Sequence, residues 1–118
     1  MSKPVLPYRQ NKKNEGTDVV LELTHLNKAD ALVTPSVLKY RVDDLTNNRE
    51  ILDWTEVSSP SSTNEITITR AQNALYSRRT SKELRQISVY AEDSAGAKSQ
   101  DIFHYTLIRI FDREAQEL

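Results

Sequence analysis

Across residues 17–111 hydrophobic and polar side chains change places at almost every step, a repeat of two rather than the 3.6 of a helix. In residues 17–26, Val19, Leu21 and Leu23 alternate with Val20, Glu22 and Thr24. In residues 37–45, Leu38, Tyr40 and Val42 alternate with Lys39, Arg41 and Asp43. Residues 50–58 set Leu52 and Trp54 opposite Ile51, Asp53, Thr55 and Val57, and residues 64–70 set Ile66 and Ile68 against Thr67 and Thr69. Ile87, Val89 and Ala91 alternate with Ser88 and Tyr90 in residues 84–92. Phe103, Tyr105 and Leu107 alternate with Ile102, His104, Thr106 and Ile108 in residues 100–111. β-branched and aromatic residues dominate all six runs, as a half-buried pleated surface favours.

The connections carry turn chemistry. Leu45-Thr46-Asn47-Asn48-Arg49 predicts a short hairpin loop, because Asn tolerates positive φ, and Asp93-Ser94-Ala95-Gly96 predicts another before the last strand. Ser58-Ser59-Pro60-Ser61-Ser62-Thr63 is a polar crossing in which Pro60 removes a ladder donor. Residues 71–77 read as a helical turn at one end. Six strands so spaced predict an all-β sandwich or barrel over residues 17–111. Residues 1–16, with Pro4 and Pro7 and four cations against Glu15, read as an extended polar arm that needs a partner to become ordered. Residues 112–118 form a short charged tail.

Composition then removes activities without selecting one. Sixteen Lys and Arg against 17 Asp and Glu leave a formal charge of -1, which argues against a nucleic-acid partner. The absence of cysteine excludes disulfides, zinc–thiolate sites and a thiol nucleophile, and two glycines exclude a glycine-rich phosphate loop. No apolar run approaches the ~20 residues of a membrane span, nor does the N-terminus carry a signal-peptide core. The expectation is a chain made in a reducing cytoplasm, with no membrane partner and no cofactor.

The candidates for chemistry are few. His25 and His104, the two histidines, lie on opposite faces of their strands, without the nucleophile turn of a hydrolase or a second ligand at metal spacing. Carboxylates gather at Asp43-Asp44, Glu92-Asp93 and Asp101, at strand ends whose loops offer oxygen ligands of the kind calcium takes; solvated loop charges are the simpler reading. Residues 70–85 hold Arg70, Arg78, Arg79, Lys82 and Arg85 against Glu83, a patch suited to an acidic protein surface. Trp54 is read as a core anchor, its alternative being a carbohydrate platform.

Val89-Tyr90-Ala91-Glu92-Asp93-Ser94-Ala95-Gly96 resembles the closing segment of cadherin repeats, and Asp112-Arg113-Glu114 is similar to their acidic motif in the reverse order, which implies sandwich geometry and not calcium. The run in residues 17–26, the hairpin from Leu38 to Thr55, the strand Glu65-Ile66-Thr67-Ile68-Thr69 and the closing pair from Arg85 to Leu107 resemble strands B, C, C′, E, F and G of immunoglobulin-like and fibronectin type III-like domains. Tyr40-Arg41-Val42-Asp43-Asp44 with Trp54-Thr55, and Ile66-Thr67-Ile68, further resemble small virion proteins of tailed bacteriophages. That resemblance implies a non-enzymatic decoration, head-completion or tail accessory protein of the virion, made in the host cytoplasm, with other virion subunits as partners. Docking is then expected through the N-terminal arm and a sandwich edge, with Lys3, Arg9, Lys12 and Lys13 of the arm and Arg78, Arg79, Lys82 and Arg85 of the basic loop as contacts. The alternative is a ligand-binding module for carbohydrate or a peptide strand, with Trp54 on the surface. An enzyme would need a pocket joining His25 or His104 to an acid.

Overall fold

A computed structural model describes residues 2–5, 12–27, 29–76 and 82–109. They form an all-β sandwich of two sheets, with β1 (Ser2–Val5), β2 (Lys12–Asn14), β3 (Val19–His25), β4 (Val37–Asp44), β5 (Arg49–Glu56), β6 (Thr63–Ile68), β7 (Lys82–Glu92) and β8 (Lys98–Ile108). One sheet has the order β1-β3-β6 and the other β2-β8-β7-β4-β5. The six strands expected from the alternation are all present, and the parity that defined them sets what is inside. Val19, Leu21, Leu23, Ile66 and Ile68 of the smaller sheet pack on Leu38, Val42, Ile87, Val89, Ala91, Phe103, Tyr105 and Leu107 of the larger.

Two strands come from the segment expected to be a free arm. β1 pairs antiparallel with β3, Lys3 opposite Thr24, and β2 pairs parallel with β8, Lys12 opposite Thr106. The described parts of residues 1–16 are therefore edge strands of the two sheets. The partner that orders them is this same chain, because β3 and β8 each offer an edge with unpaired N–H and C=O groups.

The β4–β5 pairing corrects the expected place of Trp54. Tyr40 lies opposite Thr55 but Val42 opposite Leu52, so β5 spends one residue more than β4 over this step, a bulge. Leu52 stays on the core side while Asp53 and Trp54 both turn outward, and Trp54 is 39% exposed. The turns follow their residues: Asn48 and Gly96 hold positive φ, and Asp93 Oδ1 accepts the N–H groups of Ala95 and Ala97 at 2.9 Å. The expected helical turn closes at Asn73, whose N–H reaches the Thr69 carbonyl at 3.1 Å.

Candidate functional site

Arg85, expected as a surface contact, points inward in register with Ile87 and Val89 and is 0% exposed. Its Nη2 donates to Glu83 Oε1 at 2.9 Å and to the Ala74 carbonyl at 2.8 Å, and its Nη1 donates to the Gln72 carbonyl at 2.9 Å. Glu83 Oε2 accepts from Tyr76 N–H at 2.6 Å and from Asn47 Nδ2 at 2.9 Å. Asn47 Nδ2 also donates to Asp44 Oδ2 at 2.8 Å, and Arg49 Nε reaches the same oxygen at 2.9 Å. Burial pushes the Asp44 carboxyl up, but the hydrogen bonds from Asn47 and Arg49 outweigh it and hold it below its ordinary range. This cluster joins the β4–β5 turn to the crossover before β7. Its charges are occupied by one another, so it is a clamp and not a docking patch.

The other predicted contacts scatter. Lys12 and Lys82 are exposed and Lys13 is half-buried, while Arg9, Arg78 and Arg79 lie outside the described residues. Of the acidic candidates, Asp43 accepts two hydrogen bonds from Arg41, at 2.9 and 2.8 Å, and Glu92 accepts from the Tyr90 hydroxyl at 2.9 Å. Asp101 is half-buried, and burial raises its carboxyl above its ordinary value. Among the described residues no three His, Asp or Glu side chains converge as a metal site.

His25 closes β3 inside the sandwich, 2% exposed, where Asn64 Nδ2 lies 3.0 Å from its Nε2. The Asn64 oxygen already accepts from Ser61 N–H, so its amide donates and the ring nitrogen accepts. The small pocket there, of about 10 Å³, is also lined by Glu92 and Asp93 and holds about one water, not a substrate. Burial lowers the His25 pKa from its ordinary 6.5. The unfolded chain therefore takes up the proton first, and stability is full above pH 6.5 and declines as pH falls below it. Between pH 7 and 5 urea denaturation should show a loss of at most about 1.4 kcal/mol per pH unit from this group. His25→Gln should flatten that slope; an unchanged slope in H25Q removes the assignment.

The candidate binding surface is the outer face of the five-stranded sheet, whose strand residues the alternation set opposite the apolar face and whose Trp54 it set in the core. The pairings lay side chains in rows across it, with Arg41 opposite Ser88 and Ser88 opposite Ile102, and with Lys39 opposite Tyr90 and Tyr90 opposite Gln100. Lys39 Nζ lies 5.5 Å from the Trp54 ring centre and 5.0 Å from that of Tyr90, and Arg41 Cζ is 5.9 Å from Trp54. Ile102 is 58% exposed beside them. Arg41 is steadied by Asp43 and, at 3.4 Å, by Glu50; its hydrogen bonds to Asp43 raise its pKa and keep it cationic. The result is a shallow aromatic and apolar platform threaded by two cations and rimmed by Glu50, Asp53 and Glu56. The sequence signal for it was the parity of Lys39, Arg41, Ser88, Tyr90 and Ile102; the bulge that adds Trp54 left no sequence mark. Comparisons with protein-family models, curated proteins and solved structures return no match for this chain.

Proposed function

We infer that the chain is a non-enzymatic structural protein of a tailed-bacteriophage virion, a decoration, head-completion or tail accessory component that docks on neighbouring virion subunits. The observation that carries a docking role is the outer face of β2-β8-β7-β4-β5, where Trp54 and Ile102 stand exposed beside Lys39 and Arg41. Aromatic and Arg side chains on a flat surface are the groups that dominate protein interfaces. The clamp around Glu83 and Arg85 and the one-water pocket at His25 offer no substrate cavity. Strand order supports the immunoglobulin-like reading. With β4, β5, β7 and β8 as C, C′, F and G, one sheet runs C′-C-F-G, and B and E (β3 and β6) are neighbours in the other. Repetition on a symmetric shell or ring would make individually weak contacts strong. The virion assignment itself rests on the resemblance of the Tyr40–Thr55 hairpin and the Ile66-Thr67-Ile68 strand.

Mass spectrometry of purified particles of the phage encoding this chain should find it in many copies. The double variant Trp54→Ala with Ile102→Ser should fold with an unchanged circular dichroism spectrum and be lost from the particles. Wild-type chain absent from particles overturns the virion reading; a folded variant that stays bound overturns the face. Exposure of Trp54 also favours the second reading, a module for carbohydrate or a peptide strand. That reading expects shifts of the Trp54 indole resonance on titration with oligosaccharides, in the absence of any particle.

A further inference from the structure

Among the described residues β6 is the edge strand with the fewest of the usual protections. β5, at the edge of the other sheet, is broken by two register shifts and carries Arg49, Glu50, Asp53 and Glu56. β1 contains Pro4 and Lys3, and β2 has three residues. β6 runs six residues in unbroken register with β3, contains no proline or glycine, and bears one charge, Glu65. Among the described residues nothing pairs with its outer side. Long, regular, uncharged edges are where a further strand adds.

The ladder shows which groups that strand would meet. His25 N–H donates to the Ser62 carbonyl at 2.9 Å, so the backbone groups of 62, 64, 66 and 68 face β3. Those of Thr63, Glu65 and Thr67 face the open edge, while the side chains of Asn64, Ile66 and Ile68 fill the core. We propose that this edge pairs antiparallel with β6 of a second copy, about a two-fold axis at Ile66, joining two three-stranded sheets into one of six. Face parity restricts such axes to residues rather than to points between them, because opposite residues must share a face. An axis at Glu65 sets the two glutamates against each other. An axis at Ile66 sets Glu65 of each copy opposite Thr67 of the other, lets those outward-facing backbones exchange their hydrogen bonds, and keeps nearly full overlap. Both axes satisfy the hydrogen-bond phase, and charge selects the one at Ile66. The inference does not depend on the virion reading.

Sedimentation of the full chain at high micromolar concentration should show a monomer–dimer equilibrium. Thr67→Glu, which places like charges opposite each other twice, should weaken it about tenfold or more, and Thr67→Lys, facing Glu65 of the other copy, should tighten it. Thr67→Pro removes an edge-facing N–H and no bond to β3, so it should yield a folded monomer. Should T67P not fold, the opposed Glu and Lys variants carry the test. Because the chain has no cysteine, Glu65→Cys and Thr67→Cys protomers, mixed and oxidised, should give a disulfide-linked heterodimer, and neither should crosslink efficiently alone. A strictly monomeric chain overturns the proposal. So does a dimer indifferent to T67E and T67K, or one that crosslinks no better when the two cysteine variants are mixed.

Discussion

Arg85→Ala is expected to cost about 3–5 kcal/mol, the scale of a buried ion pair broken from one side. Glu83, 0% exposed, would be left with Arg49 Nη2, at 3.8 Å, as its nearest remaining cation. The carbonyls of Gln72 and Ala74 would lose their donor at the same time. Against a total stability of roughly 5–15 kcal/mol for a domain, the loss brings the chain close to unfolding at physiological temperature. The test is a urea melt of the purified variant. The double variant Glu83→Gln with Arg85→Met removes both charges while leaving an acceptor for Tyr76 N–H. It should be more stable than R85A by about 1–2 kcal/mol, since a neutral unpaired group costs less than a charged one. A melt of R85A within 1 kcal/mol of wild type would show that Glu83 is not buried as described.

Asn73→Ala is expected to cost about 2–4 kcal/mol, because one small side chain ties two backbone carbonyls and a buried tyrosine hydroxyl to the crossover. Its Nδ2 donates to the Thr17 carbonyl at 2.8 Å and to that of Ile68 at 3.2 Å, and its Oδ1 accepts from the Tyr105 hydroxyl at 2.7 Å. Tyr105 is buried, which pushes its phenol up to about 12, so it serves throughout the working range as a neutral donor. Tyr105→Phe should cost about 1–2 kcal/mol in the wild-type background and close to nothing in N73A, a coupling of about 1–2 kcal/mol. Asn73→Asp keeps an acceptor for Tyr105 and loses both donated bonds, so it should fall near N73A rather than near wild type. Additive losses for N73A and Y105F would disprove the pairing.

The six long strands were legible because both faces of each are declared by alternation. β1 and β2 were not: Ser2-Lys3-Pro4-Val5 and Lys12-Lys13-Asn14 have no such pattern, and backbone pairing with β3 and β8 is what places them. Trp54 was misplaced because a single extra residue in β5 inverts parity, and nothing in Asp53-Trp54-Thr55 announces the bulge. Arg85 and Glu83 are a different failure. The parity that sets Ile87, Val89 and Ala91 inside extends without interruption to positions 85 and 83, and their charge argued against it. Two opposite charges two residues apart on one strand face can satisfy each other where either alone would be expelled, and that pairing was the signal to look for. The binding face was half visible, since its polar and aromatic members share a parity, whereas the residue that completes the platform arrived with the bulge.

The parallel pairing of β2 with β8 bears on how the molecule carries tension. Lys12 lies opposite Thr106 and Asn14 opposite Ile108, so the N-terminal end of β2 and the C-terminal end of β8 point in opposite directions along one seam. A pull between those two ends slides the strands past each other and loads their hydrogen bonds together, instead of peeling them one after another as in a hairpin opened from its free ends. Three residues of strand thereby act as a shear lock, mechanically stiffer than their small share of the folding free energy would suggest.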